Sequence, residues 1–438
     1  MTRTEPMKSR TRQLTLNLIA AALLAGAGAA SAAVTAIRNA QVMTVAGAGT
    51  LERGTVLIRN GRIEAVGADV AIPEGAAIID GSGKVLTPGI FVARSELGLK
   101  EIDAVDETND VASRQSRYTA ALDVTDALNP RSALLPVNRI EGVTRTLTAP
   151  ETGKGGGLFA GQGAIISLAG ALAEPGAFVV RPRAAMFAVL GEQAKGIAGT
   201  SRTSSIAAFR EALEEAKSNG LRLGSGLSND AQLSALDIEA LRPVLTGETP
   251  LVITAHRASD ILAALKLADD YRLRLIISGA TEAHLVAKEL AAARVPVLID
   301  PTRNLPAQFG GLHARPDSAL ILRKAGVVFA FVDSDDKGTH NARNLRQVAG
   351  IAVSYGYPKD QALAAITLQP AEILGLSTVL GSIEAGKIAD LVLWDGDPLE
   401  VTTAATAVWI DGVPMPMISR QTLLRDRYLQ RIKAADVK

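Results

Sequence analysis

The chain has 438 residues, of which 47% are hydrophobic and 21% are charged, and its formal net charge is +1. This length exceeds one ordinary compact domain but suits a large barrel with a smaller attached domain, and the composition excludes a disordered chain. The near-neutral charge, with no basic stripe interleaved with aromatic residues, argues against nucleic acid as a partner. The chain has no cysteine, so no disulfide can support it.

The first 32 residues have the pattern of a cleaved export signal. The basic residues Lys8, Arg10 and Arg12 precede an apolar run over residues 14–25, and the small residues Ala30, Ser31 and Ala32 follow it. The run is shorter than the ~20 residues of a membrane-spanning helix, so an uncleaved anchor is the less favoured alternative. We therefore expect a mature chain that begins at Ala33, is periplasmic or secreted, and has no membrane contact after cleavage.

Short strand patterns separated by turns fill residues 33–86. Two of them flank Asn60 and Gly61, a dipeptide that readily closes a two-residue hairpin. A similar β pattern returns at residues 378–418, and residues 419–438 have the pattern of a charged amphipathic helix. The sequence therefore predicts β segments on both sides of a central region.

The central region, residues 87–377, alternates strand patterns with helical runs, which is typical of a parallel sheet or barrel. Buried strands are predicted at residues 142–147, 164–168, 251–255, 273–278, 295–299 and 327–333. Residues 191–249 are mostly helical and polar in pattern, and no position for the fourth strand emerges from the sequence.

Two charged residues follow the first strand of this region. An apolar run over residues 90–93 is typical of a strand covered on both faces, and Arg94 and Glu96 come directly after it. Residues two apart in a strand point to the same face, so both charges should face one cavity. Barrel enzymes place their chemistry at the carboxyl ends of the strands, so we expect Arg94 and Glu96 in the site.

Candidate site residues also follow later strands: His256, Asp333 and His340. Imidazole and carboxylate groups serve as general acids, general bases and metal ligands. Structural roles stay open for all three residues. His256 could be a hydrogen-bonded structural residue, and Asp333 could cap a helix or pair with Arg94. His340 could be an ordinary residue that follows the loop over residues 335–338, with no role in the site. His284, on a predicted helix, is expected to be a surface or packing residue.

Motifs at both ends of the central region resemble the amidohydrolase superfamily, in the branch of the imidazolonepropionases and related dipeptidases. The family's first barrel strand carries Pro-Gly-x-x-Asp-x-His-x-His-x-Gly. Residues 88–98 keep its proline and glycines, but Val92, Arg94 and Glu96 replace the Asp and both metal-binding His. Residues 381–391 match the family pattern G-x-I-x-x-G-K-x-A-D-L.

The resemblance implies a fold and a set of site positions. The fold is a TIM-like (β/α)8 barrel inserted in a small discontinuous β-sandwich, whose parts here are residues 33–86 and 378–418. Thr254 and Gly279 stand where the family has ligand histidines on strands five and six. Asp333 stands where the eighth-strand aspartate binds metal and moves a proton from bound water.

Two interpretations of the charged centre stay open. Glu96, His256 and Asp333 could hold one divalent ion such as Zn²⁺, a composition untypical of catalytic zinc. Alternatively, the guanidinium of Arg94 supplies the positive charge itself and clamps a carboxylate, which slightly favours a site without tightly bound metal.

The glycine-rich stretch over residues 153–163 matches a family loop near the active-site mouth. It lacks the spacing of a phosphate-binding loop, so a gating loop and a plain connector are the two readings. The resemblance makes Gln162, together with Arg94 and His340, a candidate for substrate binding.

The resemblance implies hydrolysis of a C–N bond in a small amide, cyclic amide or dipeptide-like substrate, with Asp333 assisting water and with Arg94, Glu96 and His256 beside it. The alternative is a catalytically silent homologue that serves as a binding or scaffold subunit, as a homo-oligomer or with an intact paralogue. A third interpretation is a metal-free lyase or isomerase with Asp333 as base and Arg94 as electrophile.

Overall fold

The structure, a computed structural model, describes residues 34–113, 116–152, 157–218, 233–333 and 341–435. Within these ranges it contains two eight-stranded sheets. The predicted export signal and His340 lie outside the described residues. None of the helices in the described ranges has the length and apolar character needed to span a bilayer.

The first sheet begins with five strands: β1 (Thr35–Met43), β2 (Thr50–Arg59), β3 (Arg62–Gly67), β4 (Ala77–Asp80) and β5 (Val85–Pro88). Asn60 and Gly61 connect β2 to β3 with φ values of 52° and 76°. Positive φ at both positions is the requirement of a type I′ hairpin turn. The antiparallel pairing of β2 with β3 confirms the predicted hairpin.

The second sheet consists of eight strands: β6 (Ile90–Ser95), β7 (Val143–Thr148), β8 (Phe159–Ser167), β9 (Val179–Val189), β10 (Leu251–Ala255), β11 (Leu275–Gly279), β12 (Val297–Ile299) and β13 (Phe329–Phe331). They are ordered in space as in the chain. All neighbours are parallel except that β8 runs antiparallel to β7 and β9.

The α-helices of the described ranges are α1 (Leu134–Arg139), α2 (Arg202–Lys217), α3 (Ala235–Leu245), α4 (Ala258–Tyr271), α5 (Ala287–Ala293), α6 (Ser318–Lys324), α7 (Leu345–Ser354), α8 (Lys359–Ala364), α9 (Leu368–Ile373) and α10 (Arg420–Ala435). Helices α4, α5 and α6 connect the strands from β10 to β13. On α4, Ile261, Ala264 and Ala268 are buried at helical spacing, as expected for a helix packed on a sheet.

An apolar layer fills the barrel interior with one residue from each of five consecutive strands: Phe187, Val252, Ile276, Leu298 and Ala330. Side chains two residues apart on a strand point to the same face. Thr254 on β10 and Ser278 on β11 therefore lie above this layer, where the strands end. The sequence thus places hydroxyl groups directly over the apolar interior.

The barrel is nearly closed. The backbone N–H of Phe91 on β6 donates to Ile366 O (2.9 Å), and that of Phe331 on β13 donates to Ala365 O (3.0 Å). Residues 365–366 thus connect the two edge strands of the sheet. The predicted TIM-like barrel is confirmed.

The third strand is where this barrel departs from a regular (β/α)8 arrangement. Gly161 and Gly163, predicted in a loop, lie in β8. A Cβ atom on Gly161 would lie 2.5 Å from Leu122 O, and one on Gly163 would lie 2.6 Å from Thr148 O. Such close backbone approach requires glycine. The expected glycine loop is therefore a strand from Phe159 onward, while residues 153–156 lie outside the described ranges.

Three late strands complete the first sheet: β14 (Leu391–Trp394), β15 (Ala405–Ile410) and β16 (Val413–Pro414). The spatial order is β16-β15-β14-β5-β1-β2-β3, and β4 pairs with β1. Strands from before and after the barrel therefore share one sheet through the antiparallel β5–β14 pair. The domain boundaries themselves stay predictions.

A buried ion pair joins the two sheets. On β7, Arg145 donates from Nε to Asp390 Oδ2 (2.6 Å) and from Nη2 to Asp390 Oδ1 (3.0 Å). The same Nη2 donates to Asp411 Oδ1 (2.6 Å). The Arg145 side chain is only 3% exposed, so its charge depends on these carboxylates. Asp390 directly precedes β14 of the first sheet, and Arg145 is on β7 of the barrel, so this ion pair connects the barrel to the first sheet.

Candidate active site

The strand ends of the barrel surround a cavity of about 430 Å³. Arg94, Glu96, His256 and Asp333 all line it. Four residues from three separate parts of the chain therefore share one opening, as the sequence pattern predicts for a common site.

Arg94 lies at the centre of this cavity. Its Nη1 donates to Thr254 Oγ1 (3.2 Å) and to Ser278 Oγ (3.0 Å), and its Nη2 donates to Glu151 Oε1 (3.4 Å). The guanidinium carbon is also 6.0 Å from the centroid of the Phe187 ring. A guanidinium held by two hydroxyls, a carboxylate and an aromatic face is a fixed, permanently protonated cation.

The local geometry of β6 brings Arg94 into the cavity. Phe91 and Ala93 belong to the same buried cluster of apolar residues, so simple alternation would turn Arg94 away from their face. The pairing of β6 with β7 has a register irregularity between Val92 and Ser95. Bulges of this kind re-aim side chains beside active sites.

His256 is 8% exposed and has a defined hydrogen-bonding environment. Its Nδ1 lies 2.8 Å from Thr281 Oγ1, and its Nε2 lies 3.4 Å from the side-chain nitrogen of Gln193. Because an amide NH2 group only donates, Nε2 acts as acceptor and the proton of the neutral ring is on Nδ1. Thr281 and Gln193 were not predicted as site residues.

Burial lowers the pKa of His256 to about 4, and the positive charges of Arg303 and Arg94 contribute to the shift. The imidazole is therefore neutral at pH 7. Arg303 lines the cavity from the loop after β12. The site thus combines two guanidinium groups with an uncharged imidazole.

The ring of His256 lies directly against Gly279. A Cβ atom on Gly279 would lie 2.6 Å from Cε1 and 2.9 Å from Nε2 of His256, and the φ of Gly279 is +83°. Any side chain at position 279 would collide with the imidazole and strain the backbone. His256 therefore fills the space next to the strand-six position at which the family has a ligand histidine.

Glu282 fixes the loops around His256. Its Oε2 accepts from the backbone N–H of Ala258 (2.9 Å), and its Oε1 accepts from the backbone N–H of His313 (3.1 Å). Burial acts to raise the pKa of Glu282, but these hydrogen bonds outweigh burial and the net shift is downward. A buried carboxylate thus connects the segments that follow β10, β11 and β12.

Glu96 is already engaged by a cation. Lys100 Nζ lies 3.0 Å from Glu96 Oε2 and 2.7 Å from Asp103 Oδ1, and the Lys100 side chain is 8% exposed. The carboxylate of Glu96 is therefore compensated inside the protein rather than presented alone to the cavity.

The described residues do not fit a metal ion. They contain no group of three His, Cys, Asp or Glu side chains that could hold one, and Glu96, His256 and Asp333 do not form such a group. Arg94, which has no lone pair and repels a second cation, lies against the strand-five and strand-six positions. This donor set therefore argues against the predicted zinc at Glu96, His256 and Asp333.

Of the remaining predicted residues, Gln162 and His284 are described by the structure and do not line the cavity. Gln162 is buried on β8 and donates its backbone N–H to Leu122 O (2.7 Å). His284 is buried and its Nδ1 lies 3.4 Å from Ser318 Oγ, in agreement with a packing role. His340 lies outside the described residues.

Comparisons with known proteins agree with this geometry. The model of the "Amidohydrolase family" matches residues 315–419. The chain is 28% identical over 371 residues to "Amidohydrolase tasK" of Hapsidospora irregularis, which covers 78% of this chain and 37% of that protein. It is 37% identical over 110 residues to an imidazolonepropionase of Pseudomonas fluorescens, which covers 25% of this chain and 26% of that protein.

A solved structure extends the likeness to most of the chain. The crystal structure of an amidohydrolase from Thermotoga maritima MSB8 matches with a TM-score of 0.77 and 27% identity, covering 88% of this chain and 100% of that chain. The matched regions are only 37% and 26% of the lengths of the two sequence relatives.

The nearly closed barrel and the polar cavity at its strand ends define a TIM-like barrel protein with a candidate site where barrel enzymes have theirs. By these matches the chain resembles the amidohydrolase superfamily, including its imidazolonepropionase-like branch. Members of this superfamily typically depend on a metal ion, which makes the cation of Arg94 the distinctive feature of this chain.

Proposed function

We propose that this protein hydrolyses a C–N bond in a small amide, cyclic amide or dipeptide-like substrate, with Arg94 as its fixed positive centre. The observation that carries the proposal is the position of the Arg94 guanidinium between the hydroxyls of Thr254 and Ser278 inside the cavity. A preorganised cation at this place stabilises the negative charge that develops on a carbonyl oxygen under attack.

Asp333 supplies the base in this proposal. It lines the cavity, is partly buried, and follows β13 at the carboxyl end of the barrel. Its carboxylate takes a proton from water, and the resulting hydroxide attacks the carbonyl carbon to form a tetrahedral oxyanion beside Arg94. The C–N bond then breaks as Asp333 returns the proton to the leaving nitrogen, so the products are a carboxylic acid and an amine.

His256 acts as an uncharged hydrogen-bonding group. Its Nε2 lies 3.4 Å from the side-chain nitrogen of Gln193, which also lines the cavity. The lowered pKa of His256 keeps the ring neutral at pH 7. A substrate N–H can donate to Nε2 in place of Gln193, whose contact is 3.4 Å long, and the neutral ring adds no charge between Arg94 and Asp333. We place His256 in substrate orientation rather than in proton transfer.

The test is a hydrolysis screen with N-acyl amino acids, dipeptides and cyclic amides, measured by amine release with and without a chelator. We expect turnover that resists the chelator and falls by about 10²–10³-fold in Asp333→Asn. Asp69→Asn, an exposed acidic site outside the cavity, is the matched control and should keep full activity.

Two results would contradict this proposal. Stoichiometric bound zinc whose removal abolishes turnover would return the chemistry to a metal. No turnover with any amide, together with a stable complex with a second protein, would support the silent subunit instead.

We further propose that the chain is exported to the periplasm and cleaved before Ala33. The basic start, the apolar run over residues 14–25 and the small residues before Ala33 support this location. Cell fractionation and N-terminal sequencing of the mature protein test it, and a full-length cytoplasmic product would overturn it.

A further inference from the structure

A second cavity adjoins the candidate active site. It has a volume of about 360 Å³, and it shares Pro150 and Ala160 with the first cavity as lining residues. Pro150 directly precedes Glu151, whose carboxylate accepts a hydrogen bond from Arg94. The second cavity therefore lies close to the Arg94 guanidinium, which we place at the reacting carbonyl.

The walls of the second cavity are mainly apolar. Tyr118, Leu122, Val124 and Leu236 contribute to them. Tyr118 is 36% exposed and Leu236 is 55% exposed, which is unusual for large apolar side chains that face a concave surface. Burying them against a ligand would remove apolar surface from water.

The rim of the second cavity carries acidic residues. Asp110, Asp123 and Asp126 line it, and Arg183 Nε is 2.8 Å from Asp123 Oδ2. Arg117 lies over the ring of Tyr118, with its guanidinium carbon 5.1 Å from the centroid. These two arginines offset part of the negative charge, and the three carboxylates still outnumber them.

We propose that the second cavity binds an apolar substituent of the substrate, so that the substrates are amides with an extended apolar tail that carries no terminal carboxylate. The inference rests on the proposed function for the position of the amide group. The two cavities share Pro150 and Ala160 as lining residues and so lie side by side, which favours a part of the substrate, rather than a separate ligand, as the occupant.

Calorimetric titration of the purified Asp333→Asn protein with three simple amides tests the proposal. N-methylacetamide is the reference, while N-hexylacetamide and N-methylhexanamide carry the tail on the amine side and on the acyl side. We expect at least one tailed amide to bind about tenfold more tightly or better, because several methylene groups leave water. The anionic analogue 6-acetamidohexanoate should lose that gain because it faces the acidic rim.

Two variants locate the tail. Leu236→Ser should remove most of the gain, whereas Leu262→Ser, an exposed leucine on α4 outside the cavity, should keep it. Ala127→Trp places a ring at the exposed edge of the cavity and should block the tail, with the exposed Ala71→Trp as its control.

Equal binding of tailed and short amides, or an unchanged gain in both Leu236→Ser and Ala127→Trp, would overturn this inference. Its failure is separable from that of the proposed function. Tail-dependent binding without hydrolysis of any amide contradicts only the proposed function, and hydrolysis without tail preference contradicts only the inference.

Discussion

Nη1 of Arg94 donates a 3.0 Å hydrogen bond to Ser278 Oγ, although the two residues are 184 positions apart in the chain. The same nitrogen donates to Thr254 Oγ1 (3.2 Å). The barrel topology thus brings a cation from the first strand against hydroxyls from the fifth and sixth. Its orientation depends on the planar shape of the guanidinium, which a lysine ammonium cannot reproduce.

Arg94→Lys should therefore lower kcat for amide hydrolysis by about 10²–10³-fold, the usual cost of removing a preorganised donor to an oxyanion. Arg59→Lys, in an exposed ion pair with Glu64 on the first sheet, should leave kcat unchanged. Steady-state kinetics, with thermal unfolding as a check on folding, measures both. Full activity of Arg94→Lys would exclude the guanidinium as the electrophilic group.

Gly279→Ala should destabilise the protein by more than the backbone alone explains. The positive φ costs about 1–2 kcal/mol for a residue with a Cβ atom, and the collision with the His256 ring adds to it. Gly75→Ala is the matched control, because Gly75 has a φ of +78° and nothing within 4 Å of its ideal Cβ. Urea unfolding measures the difference, and equal losses in the two variants would show that the ring moves aside without cost.

The positive charge of Arg303 should influence the pKa of His256. Arg303→Gln removes one of the two cations that lower the pKa of this imidazole, so that pKa should rise. Arg257→Gln removes an exposed cation that is next to His256 in sequence but does not line the cavity, and should change it less. NMR titration of the ring protons, assigned with a His256→Asn variant, gives both values.

Acid should destabilise the protein partly through His256. Its folded-state pKa of about 4 lies below the unfolded value of 6.5, so the unfolded chain binds the proton first and stability falls as the pH drops below 6.5. A shift of this size corresponds to about 3 kcal/mol lost between pH 7 and pH 4. Unfolding free energies of wild type and His256→Asn at both pH values isolate this contribution from that of the carboxylates. Equal pH dependence would mean that the pKa of the ring is the same in the folded and the unfolded protein.

Asp390→Asn should be among the more destabilising single substitutions. It leaves the buried Arg145 without its bidentate carboxylate, and breaking a buried pair from one side costs about 3–5 kcal/mol. Glu64→Gln breaks the exposed pair with Arg59 and should cost less than about 1 kcal/mol. Chemical denaturation tests the contrast, and a small loss in Asp390→Asn would imply that Asp411 alone sustains Arg145.

The strands that the sequence predicts well are those buried on both faces. Leu251–Ala255 has the predicted bounds, because an uninterrupted apolar run allows little else. The fourth strand, Val179–Val189, was missed because Arg181, Pro182 and Arg183 interrupt its first half and leave it partly exposed. The antiparallel third strand was predicted only in its second half, at residues 164–168, since the glycines of its first half, which permit close backbone contact, have the composition of a loop.

The candidate site was predictable at its charged residues and not at its supporting ones. Arg94 and Asp333 stand out because each follows an apolar strand, at the end where barrel enzymes place their chemistry. Ser278 and Gln193 are ordinary polar residues whose partners come from distant segments, so nothing local marks them. The clash between Gly279 and the His256 ring depends on two strands packed side by side, which only the folded chain defines.

Pro88 on β5 pairs with Leu391 on β14, so β5 keeps an open edge during synthesis until residue 391 has emerged from the ribosome. Open edges attract strands of other molecules, and pairings between distant segments form slowly. A truncated product that stops before β14 should therefore aggregate instead of yielding a smaller working barrel. Shortening this polypeptide from its carboxyl end is consequently a poor engineering route, whatever its substrate.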